Sequence, residues 1–241
     1  MLSSLPFCLS SIYRLPVISW LGLFSLLVVG CASVTDSEFP SADASADQLK
    51  VVVTNTVLAD LTRQVSGNLA EVVSIIPAAS DAHAFQPTPS NNRAIAEADV
   101  IISNGMGFDD FLKPILENSR RGKAVNIVVT QDLVLGGTAG DVPIHEVGDP
   151  HLWLNPVFAE GYVVGIRDGL IRADPERSGI YSSNAMAYIE QLRALDREID
   201  VALRQVPSQR RNLVSYHDAF GHFGDRYGWQ TTALVPYDAS D

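Results

Sequence analysis

Short apolar runs rich in β-branched residues alternate, after residue 48, with segments whose apolar residues recur every three or four positions. The runs that predict strands cover residues 49–54, 72–76, 100–103 and 125–130. The intervening segments that predict helices cover residues 57–65, 90–98 and 108–118, the second of them with Ser90 as its N-cap. The strand runs are continuously apolar, which is typical of strands buried on both faces. The pattern therefore predicts an α/β fold in which helices cover both sides of a parallel sheet.

Two longer helices are predicted next. Pro156 is placed to open a helix that runs to Arg172. The tripeptide 174–176, Asp-Pro-Glu, then supplies a cap, a first-turn proline and an early acid. Behind it an apolar stripe recurs at spacings of three and four, at Tyr181, Ala185, Tyr188, Leu192, Leu195, Ile199 and Leu203. This stripe predicts core packing along one helix of roughly 30 residues, about 45 Å long, which Pro207 ends.

A second and shorter α/β unit follows Pro207. Residues 211–216 and 231–235 predict strands, and residues 217–227 predict a helix between them. Two strands and one helix form too little sheet to stand alone as a lobe. We therefore expect this second lobe to be truncated.

The N-terminal residues have the pattern of a targeting segment. Arg14 is the single charge within residues 1–30, and an apolar run over residues 15–29 ends in small residues before Cys31. The run is shorter than the roughly 20 residues that a membrane span needs. It resembles a bacterial lipoprotein signal that leaves Cys31 lipidated; an ordinary signal peptide or an uncleaved anchor is the alternative. Residues 31–48, rich in Ser, Ala and Asp, predict a flexible tether.

The net charge limits the kinds of partner that the protein can bind, and the cysteine content limits the ligands available for a metal site. The formal net charge is -11, which argues against nucleic acid as a partner, because phosphate binding needs a basic face. Acidity fits a receptor for cations, but a solvated acidic surface is the commoner cause of such a charge. The chain has 2 cysteines, Cys8 within the predicted signal and Cys31 at its end. A metal site would therefore use nitrogen and oxygen ligands.

Three of the 5 histidines occupy comparable loop positions. His83 and His151 each lie beside an aromatic residue in a proline-containing segment, DAHAFQPTP at 81–89 and DPHLWLNP at 149–156. His217 follows a strand-like run. In parallel α/β sheets ligands bind beyond the carboxyl ends of strands, which is where the His83 loop begins. Because neutral imidazole is the commonest metal ligand, the pattern favours a metal receptor.

These segments resemble the metal-binding receptors of bacterial ABC importers for zinc and manganese, lipoproteins sometimes described as adhesins. The likeness runs from Lys50 to the end of the chain, and its most specific elements are DPHLWLNP, His83 with the Pro-Thr-Pro that follows it, and YHDAF at 216–220. It implies two parallel-sheet α/β lobes joined by one long rigid helix, with metal in the cleft between them. The implied boundaries are 49–174 for the first lobe, 175–206 for the helix and 207–241 for the start of the second lobe.

The same resemblance implies a set of ligands. His83 and His151 would come from the first lobe, and His217 would be the first ligand from the second. The family usually adds a carboxylate much farther along the second lobe, and we expect this chain to stop before it. Two departures lie beside the His83 ligand: Ala82 stands where proline is frequent, and Gln86 where a carboxylate is common.

The resemblance further implies a receptor rather than an enzyme. It would capture a divalent metal ion and deliver it to the permease and ATPase of an ABC transporter, as a monomer held at the extracytoplasmic face of the cell envelope by lipid on Cys31. Imidazole-rich sites favour zinc and manganese prefers more oxygen, so Zn²⁺ is favoured over Mn²⁺. A manganese or mixed Zn/Mn/Fe receptor is the alternative, since the chain lacks the histidine-rich loop of many zinc receptors and His145 stands alone there.

Other interpretations stay open. Three histidines with an open position also describe a zinc hydrolase, although no His-Glu-x-x-His pairing occurs. A receptor for an organic solute and an adhesin acting by surface contact are further alternatives. His145 and His222 are expected to be structural, with His222 on a helix surface, and capping of the following helix is an alternative role for His217. Some aspartates near the ligands could orient imidazole rings or form turns, namely Asp81, Asp149 and Asp218.

Overall fold

A computed structural model of the chain describes residues 48–78, 80, 85–115, 124–134 and 148–235. The strands are β1 Leu49–Val53, β2 Ala70–Ser74, β3 Val100–Ser103, β4 Val125–Val128, β5 Asn212–His217 and β6 Gln230–Val235. The α-helices are α1 Thr56–Ser66, α2 Pro89–Ala96, α3 Gln131–Val134, α4 Pro156–Ala173, α5 Ser178–Leu203 and α6 Gly221–Tyr227.

The first four strands form one parallel sheet in the order β2-β1-β3-β4. Val51 at the centre of β1 lies opposite Val72 on one side and Val100 on the other. Both faces of the sheet are covered: Val51 and Ile102 belong to a core shared with α1, α4 and α5, whereas Val52 packs in a second core with α2. The predicted parallel α/β arrangement, with strands buried on both faces, is confirmed.

The long connecting helix α5 runs for 26 residues, or about 39 Å. A 3₁₀ turn, Pro175–Arg177, precedes it. Asp174 was predicted to cap the helix, but its carboxylate instead accepts hydrogen bonds from Arg177 and, at 2.7 Å, from the Tyr181 hydroxyl. Tyr181 is buried in the first core, whereas Leu195 is 45% exposed. The predicted apolar stripe is thus core over the first part of the helix only.

The second unit contains a two-stranded parallel sheet of β5 and β6. His217 is the last residue of β5 and lies opposite Val235. Helix α6 begins at Gly221, and Gly228 ends it in the left-handed conformation with φ +67°. The prediction of a helix from residue 217 was therefore wrong by four residues at its start, and His217 is not a cap of α6.

Two local predictions in the first unit also need correction. The N-cap of α2 is Thr88 rather than Ser90. The Thr88 side chain accepts a hydrogen bond from the backbone N–H of Asn91, and the Asn91 side chain accepts one from the backbone N–H of Thr88. The α-helix predicted from Phe108 begins only at residue 113; residues 108–112 pass through a turn and a 3₁₀ turn, Asp110–Leu112. The rest of that predicted helix beyond residue 115 lies outside the described residues.

Several predictions fall on parts of the chain that the structure does not describe. These are the signal segment, Cys31, nearly all of the tether, Asp81, His83 and His145. Across the described ranges, no helix combines the length and apolar character needed to cross a bilayer. The domain boundaries given above stay predictions.

Candidate metal site

His151 is held in a buried loop that leads into α4. Its side chain is 4% exposed. The Asp149 carboxylate accepts one hydrogen bond from the His151 backbone N–H at 3.0 Å and another from the ring Nδ1 at 2.7 Å. Downstream, Asn155 caps α4 by accepting from the Val157 N–H at 3.0 Å. The loop therefore has a defined anchor at each end, and Asp149 both forms the turn and orients the ring.

The partner of Nδ1 decides which ring nitrogen of His151 is available. An ionised carboxylate can only accept, so Nδ1 carries the proton and Nε2 of the neutral ring keeps its lone pair. Burial raises the pKa of Asp149, hydrogen bonds from the His151 ring and backbone lower it, and the net effect is a lowered pKa. Asp149 is thus a carboxylate that leaves on Nε2 of His151 the lone pair that a metal ion would need.

His217 brings the second imidazole from the other lobe. Its Nε2 lies 3.1 Å from Nε2 of His151, with the ring planes at 80°. Two imidazole nitrogens on one tetrahedral zinc ion, each at about 2.0–2.1 Å, would be separated by about 3.3 Å. The observed separation is close to that value. The two nitrogens therefore have a geometry that one cation could bridge.

The predicted trio of His83, His151 and His217 is brought together in part. The structure places His151 and His217 side by side, while His83 lies outside the described residues. Within the ranges that are described, no group of three or more His, Cys, Asp or Glu side chains could hold a metal ion. The ligand set of three histidines stays a prediction.

Two aromatic rings pack near His151. Trp153 lies edge-on to the His151 ring with centroids 5.2 Å apart, and Phe108 lies edge-on to Trp153 at 5.4 Å. Phe108 lies in the turn that follows β3. Gly105, Met106 and Gly107 all have positive φ there, which reverses the chain and brings Phe108 beside the site. These rings restrict the orientation of the imidazole and lower the local polarity.

A buried asparagine joins the same turn to the histidine loop. Asn104, fully buried at the end of β3, donates from Nδ2 to the Pro150 carbonyl at 3.1 Å and accepts from the Tyr162 hydroxyl at 2.8 Å. The Asp109 carboxylate in turn accepts a hydrogen bond from the backbone N–H of Asn104. Burial raises the pKa of Asp109, and its backbone hydrogen bonds partly offset the rise. The sequence analysis did not include Asn104 in the site, although a polar residue directly after a buried parallel strand was a signal for it.

His222 is the clearest error of the sequence analysis at this site. It was expected on a helix surface, but it is 2% exposed and its Nε2 lies 3.2 Å from the Asp149 carbonyl oxygen. Its position depends on packing between segments that are more than 70 residues apart in sequence. No local pattern could have indicated it.

These features define a class of protein: a two-lobed α/β binding protein with imidazoles from both lobes at its cleft. Residues 51–240 match the family described as zinc-uptake complex component A, periplasmic (ZnuA). The chain belongs to this family. Membership confirms the predicted resemblance to metal-binding receptors, and it confirms that the chain is not an enzyme, since the family is defined by an uptake component.

Similar proteins of the family carry names with different metals. The manganese ABC transporter substrate-binding lipoprotein PsaA of Streptococcus pneumoniae is 31% identical over 222 residues, covering 88% of this chain and 69% of PsaA. The iron-binding protein YfeA of Yersinia pestis is 31% identical over 200 residues, covering 81% of this chain and 62% of YfeA. The chain thus spans about two thirds of the length of these relatives.

A solved structure adds a zinc-bound protein to the comparison. Zn(II)-bound AdcA from S. pneumoniae is 29% identical with a TM-score of 0.68, and the match covers 78% of this chain but 39% of AdcA. Against the ZnuA-like domain of AdcA alone, the match covers 67% of that domain. The names of these proteins include manganese, iron and zinc, so family membership establishes metal binding as the common theme without selecting one metal.

Proposed function

We propose that this protein is an extracytoplasmic receptor that captures one divalent metal ion between its lobes, with zinc preferred, and delivers it to the permease of an ABC transporter. The ligands are His83 and His151 from the first lobe and His217 from the second. The single observation that carries the proposal is the 3.1 Å approach of Nε2 of His217 to Nε2 of His151. Asp149 supports it by directing the lone pair of His151 toward His217.

Nε2 of His217 and Nε2 of His151 lie at hydrogen-bond distance, so in the metal-free protein one ring can donate to the other. A cation would take the place of that proton, and the Asp149 carboxylate raises the basicity of the His151 ring through Nδ1. The cation is shared between two lobes, so it can be released when the lobes move apart. This arrangement suits a carrier, which must both hold its ion and give it up.

Zinc is preferred because of the ligand chemistry. Imidazole nitrogens suit zinc, whereas manganese prefers carboxylate and water oxygens. The alternative is a manganese or mixed Zn/Mn/Fe receptor, which the names of PsaA and YfeA support. A carboxylate added as a fourth ligand would move the preference toward manganese.

The partner and the location follow from the same relatives. PsaA is named a substrate-binding lipoprotein of an ABC transporter, and we extend that role to this chain, with a permease and its ATPase as partners. Lipid on Cys31 would hold a monomeric receptor on the extracytoplasmic face of the membrane. Labelling with a radioactive fatty acid tests this, since Cys31→Ser should abolish incorporation.

The decisive test is the affinity of ligand variants. Protein purified without added metal is subjected to elemental analysis, and Zn²⁺ and Mn²⁺ are titrated by calorimetry into the metal-free wild type, His151→Ala and His217→Ala. We expect one Zn²⁺ per chain and a loss of about 100-fold or more in affinity for each variant, because each removes a direct ligand rather than a supporting residue.

The matched control is His145→Ala, which removes a histidine outside the proposed ligand set and should bind zinc within about twofold of the wild type. Unchanged zinc affinity in both ligand variants would contradict the site. Tighter binding of Mn²⁺ than of Zn²⁺ by the wild type would contradict the metal preference but leave the receptor function standing.

A further inference from the structure

A buried histidine of the second lobe contacts the loop that presents His151. His222 lies in the first turn of α6, and its Nε2 is 3.2 Å from the backbone oxygen of Asp149 and 3.5 Å from the carboxylate Oδ2. The carbonyl oxygen can only accept a hydrogen bond, so Nε2 of His222 is the donor. The contact therefore fixes the position of the ring proton as well as the position of the ring.

The start of α6 fits closely against this loop. A Cβ added at Gly221 would lie 3.0 Å from Oδ2 of Asp149, which leaves no room for a larger residue without displacement of the carboxylate. On the other side, Phe158 of α4 meets the His222 ring edge-on at 5.5 Å. Asn155 Nδ2 lies 3.5 Å from the His222 carbonyl oxygen. The ring is thus seated in a preformed place in the first lobe.

The contacts form a chain that crosses between the lobes twice. His222 of the second lobe donates to Asp149 of the first, Asp149 accepts from His151, and His151 faces His217 of the second lobe. A rigid-body displacement of the second lobe that separates His217 from His151 would also withdraw His222 from Asp149. Withdrawal would break the buried hydrogen bond from His222 to Asp149, so this contact opposes opening of the cleft.

We propose that His222 is a positioning residue that clasps the second lobe to the His151 loop and thereby slows release of the bound metal. The effect on metal release rests on the receptor function proposed above. The clasp itself, a hydrogen bond from Nε2 of His222 to Asp149, exists with or without metal.

Three variants separate the hydrogen bond from packing. His222→Phe keeps an aromatic ring against Phe158 but removes the donor, whereas His222→Gln places an amide donor near the position of Nε2. Phe158→Leu is the matched control, because it reduces packing on the ring and keeps the donor. Thermal unfolding of each variant records its stability separately from its metal release.

Zinc release is measured by stopped-flow mixing of the loaded protein with a chelating dye. We expect release from His222→Phe to be about tenfold faster than from the wild type, the lower end of what the loss of a supporting residue causes at metal sites. His222→Gln should release within about threefold of the wild type. Phe158→Leu should unfold at a lower temperature yet also release within about threefold. The proposal would be overturned if His222→Phe released zinc at the wild-type rate, or if Phe158→Leu released it as fast as His222→Phe.

A second measurement does not need metal. Long-range ¹⁵N–¹H spectra of the histidine rings in the metal-free protein should place the His222 proton on Nε2, and His222→Phe should shift the ring signals of His151 in the other lobe. A proton on Nδ1 of a neutral His222 would overturn the clasp, even if His222→Phe failed to fold. If the wild type bound no metal but these spectra were as expected, the receptor function would fail and the clasp would stand.

Discussion

In the first sheet every residue of β3 is buried, whereas along β5 and β6 the side chains alternate between partly buried and exposed. Val214 on β5 and Leu234 on β6 are 64% and 69% exposed. The first sheet has helices on both faces and is held by apolar burial. The second is a two-stranded sheet, a unit that is at best marginal by itself. The position of this second sheet must therefore depend on contacts with the rest of the molecule.

Those contacts are polar and directional. Arg226 and Tyr227 of α6 donate to Asp196 on α5, and His222 donates to Asp149. A few such hydrogen bonds fix the orientation of the second lobe, but they oppose its separation from the first lobe less strongly than a shared apolar core would. The comparison indicates that the first lobe is held by a shared apolar core, whereas the second lobe is attached to it by a few polar contacts.

The largest expected effect is a loss of stability on truncation of the first core. Ile102→Ala removes a fully buried side chain at the centre of β3 and should lower the free energy of unfolding by about 3 kcal/mol. Val214→Ala, at an exposed position of β5, should change it by less than about 0.5 kcal/mol. Urea unfolding followed by circular dichroism measures both. An equal cost at the two positions would contradict the difference between the sheets.

A smaller effect tests how closely α4 packs on the first sheet. A Cβ at Gly169 would lie 1.8 Å from Cδ1 of Ile127 on β4, whereas a Cβ at Gly165 on the same helix would meet nothing within 4 Å. Gly169→Ala should therefore destabilise the protein by about 2 kcal/mol through overpacking. Gly165→Ala should stabilise it by about 0.5–1 kcal/mol, since alanine is the better helix former. Urea unfolding measures both variants. If both substitutions changed the free energy of unfolding in the same direction, packing would not distinguish the two positions.

The smallest effect concerns the attachment of α6 to α5. The hydrogen bond from Arg226 lowers the pKa of Asp196 most, burial raises it, and the Tyr227 hydroxyl adds to the net lowering. A depressed carboxyl pKa in the folded state contributes stability above the unfolded value of about 3.9, and that contribution is lost as the pH falls through the folded pKa. Arg226→Met should thus cost about 1 kcal/mol at pH 7, a modest value because the pair is partly exposed, and less at pH 2.5.

The control for this pair is Arg193→Met, which breaks an exposed ion pair with Glu160 and should leave unfolding nearly unchanged at both pH values. Urea midpoints at pH 7 and pH 2.5 supply the comparison. A cost for Arg226→Met that did not shrink on acidification would mean that the residue acts through packing of its stem rather than through Asp196.

Sequence patterns predicted the strands of the first lobe well, because a run such as residues 100–103 is apolar on both faces and has no other stable environment. They also predicted the helix at Pro156 and the long helix that follows, where proline, capping residues and spacing act locally. They failed for residues 108–112, where the positive φ angles before Phe108 and the carboxylate of Asp109 favour a turn over a helix.

The chain by itself determined most of the strands and helices, which loops carry histidine, and which family the protein belongs to, because these depend on neighbours within a few positions. Only the tertiary structure decided that His151 and His217 meet at 3.1 Å and that His222 is buried against Asp149. These pairs are 66 and 73 residues apart. Their contacts are set by how α6 packs against the loop before α4, and no short stretch of sequence encodes that packing.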